Sequence, residues 1–160
     1  MNHRFAAVFV VAALLTTSAT AFAGDGRRQT QVESSSENVM PFSMTASKHI
    51  FAPTADGGVQ TVLVHDGNPK QVALVRSHLR KEAAAFARGD FSDPASIHGE
   101  HMPGLEAMHA GSARINVRYA VVANGARIVY TTNDPTLVSA IHTWFKAQVS
   151  DHGAHATMKM

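Results

Sequence analysis

The chain has 160 residues, with 14 Lys and Arg against 12 Asp and Glu, a net charge of +2, and no cysteine. A balance this close to neutral, with no basic cluster interleaved with aromatics, leaves no footprint for nucleic acid. The missing cysteines exclude disulfide staples, thiol nucleophiles, cysteine-ligated zinc or iron–sulfur centres and covalent haem attachment through C-x-x-C-H.

Residues 1–23 read as a cleavable secretory signal peptide. Met1 to Arg4 form a positive n-region, Phe5 to Leu15 an apolar h-region, and Ala21-Phe22-Ala23 offers the small residues a signal peptidase accepts, so the cut is expected between Ala23 and Gly24. The h-region is short for a bilayer span, and no later stretch is apolar for the roughly 18 residues a span needs. The expected location is therefore periplasmic or secreted, with no membrane span after cleavage. Residues 24–38 are polar, with Val32 their one large apolar residue, and are expected to be a disordered leader. A single domain over 39–153 and a flexible tail over 154–160 complete the expected organisation.

Within that domain the pattern comes twice. Ser43 to Ala52 reads as a strand, Asp56-Gly57 as a turn, and Val59 to His65 as a second strand. Asn68-Pro69 supplies an N-cap and a proline at N1, opening a helix to about Arg88 that Gly89 ends. Arg114 to Val122, Asn124-Gly125, Arg127 to Thr132 and Asp134-Pro135 repeat the series, with a helix to about His152 before Gly153. Duplication and chance sharing of cap chemistry both account for the likeness. Either way the expected fold is α+β, a ββα-ββα pseudo-repeat with a four-stranded, mainly antiparallel sheet and two long helices on one face. Between the halves, Asp90 to Ser112 is a long connection with a short helix around Leu105 to His109, and connections of that length are often functional.

Ten histidines and seven methionines point to transition-metal chemistry, because imidazole suits copper, zinc and haem iron while thioether favours copper(I). The connection contains His98-Gly99-Glu100-His101-Met102. On a glycine-flexible loop, His98 and His101 can turn toward one ion with Met102 as a soft neighbour. His78 lies at the edge of the first helix's apolar stripe, with Glu82 one turn on to orient it. His142 borders the stripe of the second helix, Leu137, Val138, Ile141, Phe145 and Val149. His152 falls near that stripe's centre, but a place in the last turn favours reading it as a partner of the helix dipole and the terminal carbonyls. The tail histidine and methionines, His155, Met158 and Met160, read as a flexible end. No G-x-S-x-G, H-E-x-x-H, P-loop or G-x-G-x-x-G motif is present, so no reaction is expected.

Arg76-Ser77-His78-Leu79, Gly89-Asp90-Phe91-Ser92-Asp93-Pro94, Ile97-His98-Gly99, Met102-Pro103-Gly104-Leu105 and His142-Thr143-Trp144-Phe145 with Asp151-His152-Gly153 resemble a family of small bacterial proteins commonly labelled aspartate carbamoyltransferase. The resemblance runs from about Met40 to Ala156. The enzyme label conflicts with the residues. Carbamoyl-phosphate binding of that kind uses a Ser-x-Arg-Thr loop at a helix N-terminus, whereas Ser112-Ala113-Arg114-Ile115 lacks the threonine and enters an expected strand. The expectation is thus an exported binding protein for a transition metal, copper first, through His98, His101 and Met102 with His78 or His142. Non-covalent haem binding and a non-catalytic module that recognises another envelope protein are the alternatives.

Overall fold

A computed structural model describes residues 19–159, so the n- and h-regions of the expected signal peptide lie outside the described residues. Both halves form a hairpin followed by a long helix. The first consists of β1 (Ser47–Thr54), β2 (Gly57–Val64) and α2 (Pro69–Phe86), after an N-terminal helix α1 (Ala19–Ser36). The connection carries α3 (Ser92–His98), α4 (Leu105–Ala110) and a 3-10 turn, Ser112–Arg114. The second half is β3 (Asn116–Val122), β4 (Gly125–Thr131) and α5 (Pro135–His152), with a terminal strand β5 (Ala156–Met158).

The sheet is five-stranded and mixed, in the order β3-β4-β2-β1-β5. The two hairpins join through antiparallel β2–β4 pairing, with Gln60 opposite Ile128. The four-stranded expectation is corrected at the far edge, where residues 156–158 of the expected flexible tail pair parallel to β1, with His49 opposite Ala156. A three-residue strand carries too little alternation to be seen in a sequence. Alternation along the longer strands puts Phe51, Val62, Ala126, Ile128 and Tyr130 on one face, all buried. Both long helices lie on that face: Phe86 of α2 packs on Tyr130, and Phe145 of α5 on Phe51.

Both long helices begin as their cap residues direct. The Asn68 side chain accepts from the backbone N–H of Lys70 and Gln71, and the Asp134 side chain from that of Thr136, each ahead of a proline in the first turn. On α2 the expected stripe Val72, Val75, Leu79, Ala83 and Phe86 is buried. On α5 the buried face is rotated from the expected one. Val138 and Val149 are half-buried, while Trp144, Gln148, Asp151 and His152 are buried.

The expected leader is also corrected. Residues 19–36 form a helix that runs through the Ala23–Gly24 bond and packs on α5 and α3. Val32 is completely buried there, and Arg28 and Gln29 bond to the end of α5. A helix whose described anchors are one buried valine and several polar ties leaves no trace in composition. It needs tertiary partners to exist.

Gly104 starts α4 at φ +84°, and a Cβ there would stand 2.3 Å from the Ala140 carbonyl oxygen and 2.8 Å from the Trp144 nitrogen. Gly99 has a similar φ, +88°, but nothing lies within 4 Å of its Cβ position. The pair separates clash from backbone strain. Gly99→Ala is expected to cost about 2 kcal/mol, because φ +88° with ψ +153° is a combination essentially confined to glycine, and Gly104→Ala at least about 3 kcal/mol because the backbone of α5 must also move. Thermal melts of the two variants check the ordering.

Candidate functional site

Between the sheet face, α2, α3 and α5 lies a cavity of about 30 Å³, lined by His49, His78, His98 and His152, with Glu82, Gln60, Trp144 and Gln148 among its other walls. Such a space holds one ion or one to two waters.

Each imidazole arrives by a different route. His49 is an inward position of β1, between Ser47 and Phe51 in the buried register. His78 and Glu82 stand one turn apart on the buried face of α2. His98 ends α3 and His152 ends α5. The His49 and His152 rings lie nearly parallel with centroids 5.2 Å apart, and His98 meets His152 edge-on at 4.9 Å. His78 stands apart from that trio, against the edge of Phe42 at 5.6 Å.

His98 is the best-anchored of the four. Its Nδ1 lies 2.8 Å from Asp151 Oδ2, while Arg28 grips the same carboxylate with Nε to Oδ1 at 2.9 Å and Nη2 to Oδ2 at 2.6 Å. Burial would push Asp151 up, but the hydrogen bonds from His98 and Arg28, reinforced by their charges, hold it well below the usual carboxylate range. An ionised Asp151 accepts from Nδ1–H, which leaves His98 Nε2 as the ring's lone-pair nitrogen when the imidazole is neutral.

The other three imidazoles are kept uncharged. Burial lowers His49 to about 3, helped by the charges of His78, His155 and His98 and opposed by the nearby His155 backbone. His152 falls further for the same reason, aided by His49 and His98. Burial takes His78 to about 4, with Asp93 opposing and Lys81 assisting. Glu82 moves the other way, up to about 8, through burial and a hydrogen bond shared with Asp93. At neutral pH His49, His78 and His152 are therefore neutral imidazoles, and Glu82 is largely a protonated carboxyl. His49 Nδ1, His152 Nε2, Glu82 Oε1 and Trp144 Nε1 are buried without a hydrogen-bond partner. Four such atoms around one space are unusual, because buried polar groups are nearly always satisfied.

The expected ligand set fares unevenly. His98 and His78 line the cavity. His101 is exposed on the connection, and Met102 is buried within the hydrophobic core, 3 % exposed, so neither lines the cavity with His98. His142 Nε2–H is engaged by the β1–β2 turn, donating to the carbonyls of Thr54 at 3.0 Å and Gly57 at 2.8 Å. Among the described residues, no three His, Asp or Glu side chains already stand at metal-ligating spacing. Two cavity residues were missed or misread from sequence. His152 is not a cap: its Nε2 is orphaned inside the protein. The signal for His49 was its place two residues from Ser47 and Phe51 on an alternating strand, where an inward imidazole stands out.

Arg114, in the string compared with a carbamoyl-phosphate loop, ends a 3-10 turn and pairs with Asp134 at 2.6 Å. Comparison of the chain with family models, with curated proteins and with solved structures found no match.

Proposed function

We propose that this chain is an exported binding protein for a transition-metal ion, copper first, and that its seat is the His49–His98–His152 cluster rather than the connection alone. One observation carries the reading: buried imidazole nitrogens of His49 and His152 have no partner beside a third imidazole whose far nitrogen is tied to a carboxylate. Carboxylate–histidine pairs of this kind fix the tautomer and raise the basicity of a ligating ring.

The ring spacing supports it. An ion about 2 Å from a ring nitrogen lies about 3 Å from that ring's centroid, so two rings in tetrahedral coordination have centroids about 5 Å apart. The separations of 4.9 and 5.2 Å match that spacing. Binding then requires the rings to turn so that three nitrogens face one point. A set of imidazoles without thiolate follows the general order of divalent affinities, in which copper stands above zinc and nickel. A cavity of about 30 Å³ suits an ion, and a porphyrin would have to part the helices from the sheet. Export rests on the signal-peptide pattern of residues 1–23, and no turnover is required.

The test is titration of the purified chain with Cu(II), Cu(I) and Zn(II). One equivalent of copper is expected to bind, with His152→Phe and His49→Phe abolishing binding, His101→Ala leaving it unchanged, and circular dichroism reporting that each variant is folded. Indifference of the wild type to all three ions overturns the reading and favours the interaction module. Loss of binding in His101→Ala, with retention in folded His152→Phe, would return the site to the connection.

A further inference from the structure

Helix α1 does more than pack. Besides its two bonds to Asp151, Arg28 Nη2 donates to the backbone carbonyl of His98 at 2.7 Å. One guanidinium thus holds the carboxylate that orients the His98 ring and, separately, the backbone from which that ring projects. The fork geometry of arginine makes this triple contact; a lysine ammonium is a point charge and cannot reproduce it. The Arg28 side chain is 44 % exposed while that of Asp151 is 10 % exposed and that of His98 1 %. The arginine therefore closes the buried pair from the solvent side. Gln29, its neighbour, makes an independent tie from Nε2 to the Ser150 carbonyl at 3.1 Å, and Val32 is completely buried one turn on. Arg28 can accordingly be removed while α1 keeps two other anchors.

We propose that Arg28 is a positioning residue of the histidine cluster, fixing the tautomer and pose of His98 through Asp151 and the His98 carbonyl, so that helix α1 is part of the ligand seat. The metal-affinity arm of this inference rests on the function proposed above; the tautomer arm does not. In the absence of Arg28, Asp151 keeps His98 as its partner but gains freedom to rotate away, and the imidazole can exchange its proton between Nδ1 and Nε2. A mixed tautomer presents a free Nε2 for only part of the time, and loss of an outer partner of this type typically lowers metal affinity 10- to 100-fold.

Long-range proton–nitrogen correlation spectra of the metal-free protein, labelled with ¹⁵N-histidine, report the tautomer directly, and copper titration reports affinity. The wild type is expected to show His98 protonated at Nδ1. Arg28→Ala is expected to show a mixture and to bind one copper at least about tenfold more weakly, with Arg28→Lys recovering part of both. Gln29→Ala, which loosens α1 without touching Asp151, is expected to leave the tautomer unchanged. A wild-type tautomer in folded Arg28→Ala overturns the proposal, as does a shift of equal size in Gln29→Ala, which would mean generic docking of α1. If the wild type binds no copper while Arg28→Ala alone redistributes the His98 proton, the proposed function fails and the positioning role stands.

Discussion

Replacing Asp151 by alanine is expected to lower the stability of the fold by about 3 kcal/mol, enough to reduce the melting temperature by roughly 10 °C in a domain of this size. Asp151 is the common acceptor for Arg28 and for His98, so one carboxylate of α5 ties α1 to the end of α3. Removal of a carboxylate from such a junction strands its partners, and the cost of stranding exceeds the net worth of the bonds themselves. The full penalty for a buried pair does not apply, because Arg28 remains in reach of water at 44 % exposure. His98, with its side chain 1 % exposed, has no such escape. Asp151→Asn is expected to cost about half as much, since the amide oxygen still accepts from Nδ1–H while the charge is gone. Thermal and urea melts of the two variants check the order. Equal stability of Asp151→Ala and the wild type would show that the junction is ornamental.

The same junction marks where the sequence stops being legible. Two helices of 18 residues and the four longer strands were readable because each carries a local cause: a cap and proline at residues 68 and 69 and again at 134 and 135, and inward alternation along β1, β2 and β4. Asn124-Gly125 marked the right hairpin for a partly different reason. Gly125 is the first residue of β4 and has no positive φ; a Cβ on it would stand 1.9 Å from the Val62 carbonyl oxygen, so glycine is needed for close approach to β2. The N-terminal helix had no such local cause. Val32, the one buried apolar side chain among those described in it, and Arg28 acquire meaning only against distant residues, for Arg28 residues 98 and 151, at least seventy positions away.

The cluster of histidines shows the same divide. His78 and His98 were named because helix edge and glycine-rich spacing are visible in a string. His152 was misread because its place in the last turn pointed to the helix dipole and the terminal carbonyls, whereas α5 turns its Trp144-Gln148-Asp151-His152 side inward. Met102 and His101 are adjacent in sequence and opposite in environment: one is in the core and the other faces solvent. Proximity along a loop carries no information about convergence. Convergence in this protein is produced by the sheet, which brings residue 49 under the ends of two helices.

Acid is the second large lever, and the direction follows from the same cavity. His49 titrates near 3 and His78 near 4 in the folded chain, and His152 lies lower still, against an ordinary value of 6.5 in the unfolded one. Below 6.5 the unfolded chain binds protons that the folded chain refuses, so stability present above 6.5 is lost as pH falls toward 4 and 3. Glu82 acts oppositely. Held near 8 against an ordinary 4.5, it gives stability fully present below 4.5 that is lost as pH rises through 8. Between 4.5 and 6.5 three imidazoles outweigh one carboxyl, and stability climbs with pH; between 6.5 and 8 the carboxyl acts alone, and it declines. The maximum is expected near pH 6.5 to 7. Each proton of imbalance is worth about 1.4 kcal/mol per pH unit, so the fall from 6.5 to 4.5 amounts to a few kcal/mol, a large part of the 5–15 kcal/mol of a typical domain. Neighbouring charges modulate but do not reverse this: His98 and His155 face His49, Asp93 and Lys81 face His78, and Asp93, Lys81 and Asp90 face Glu82. Melting temperature measured from pH 4 to 9 is expected to trace an asymmetric peak, with His49→Phe flattening its acid side and Glu82→Gln its alkaline side. A melting temperature equal at pH 4.5 and 6.5 would mean that these imidazoles are hydrated and charged in the folded protein, which is incompatible with their burial.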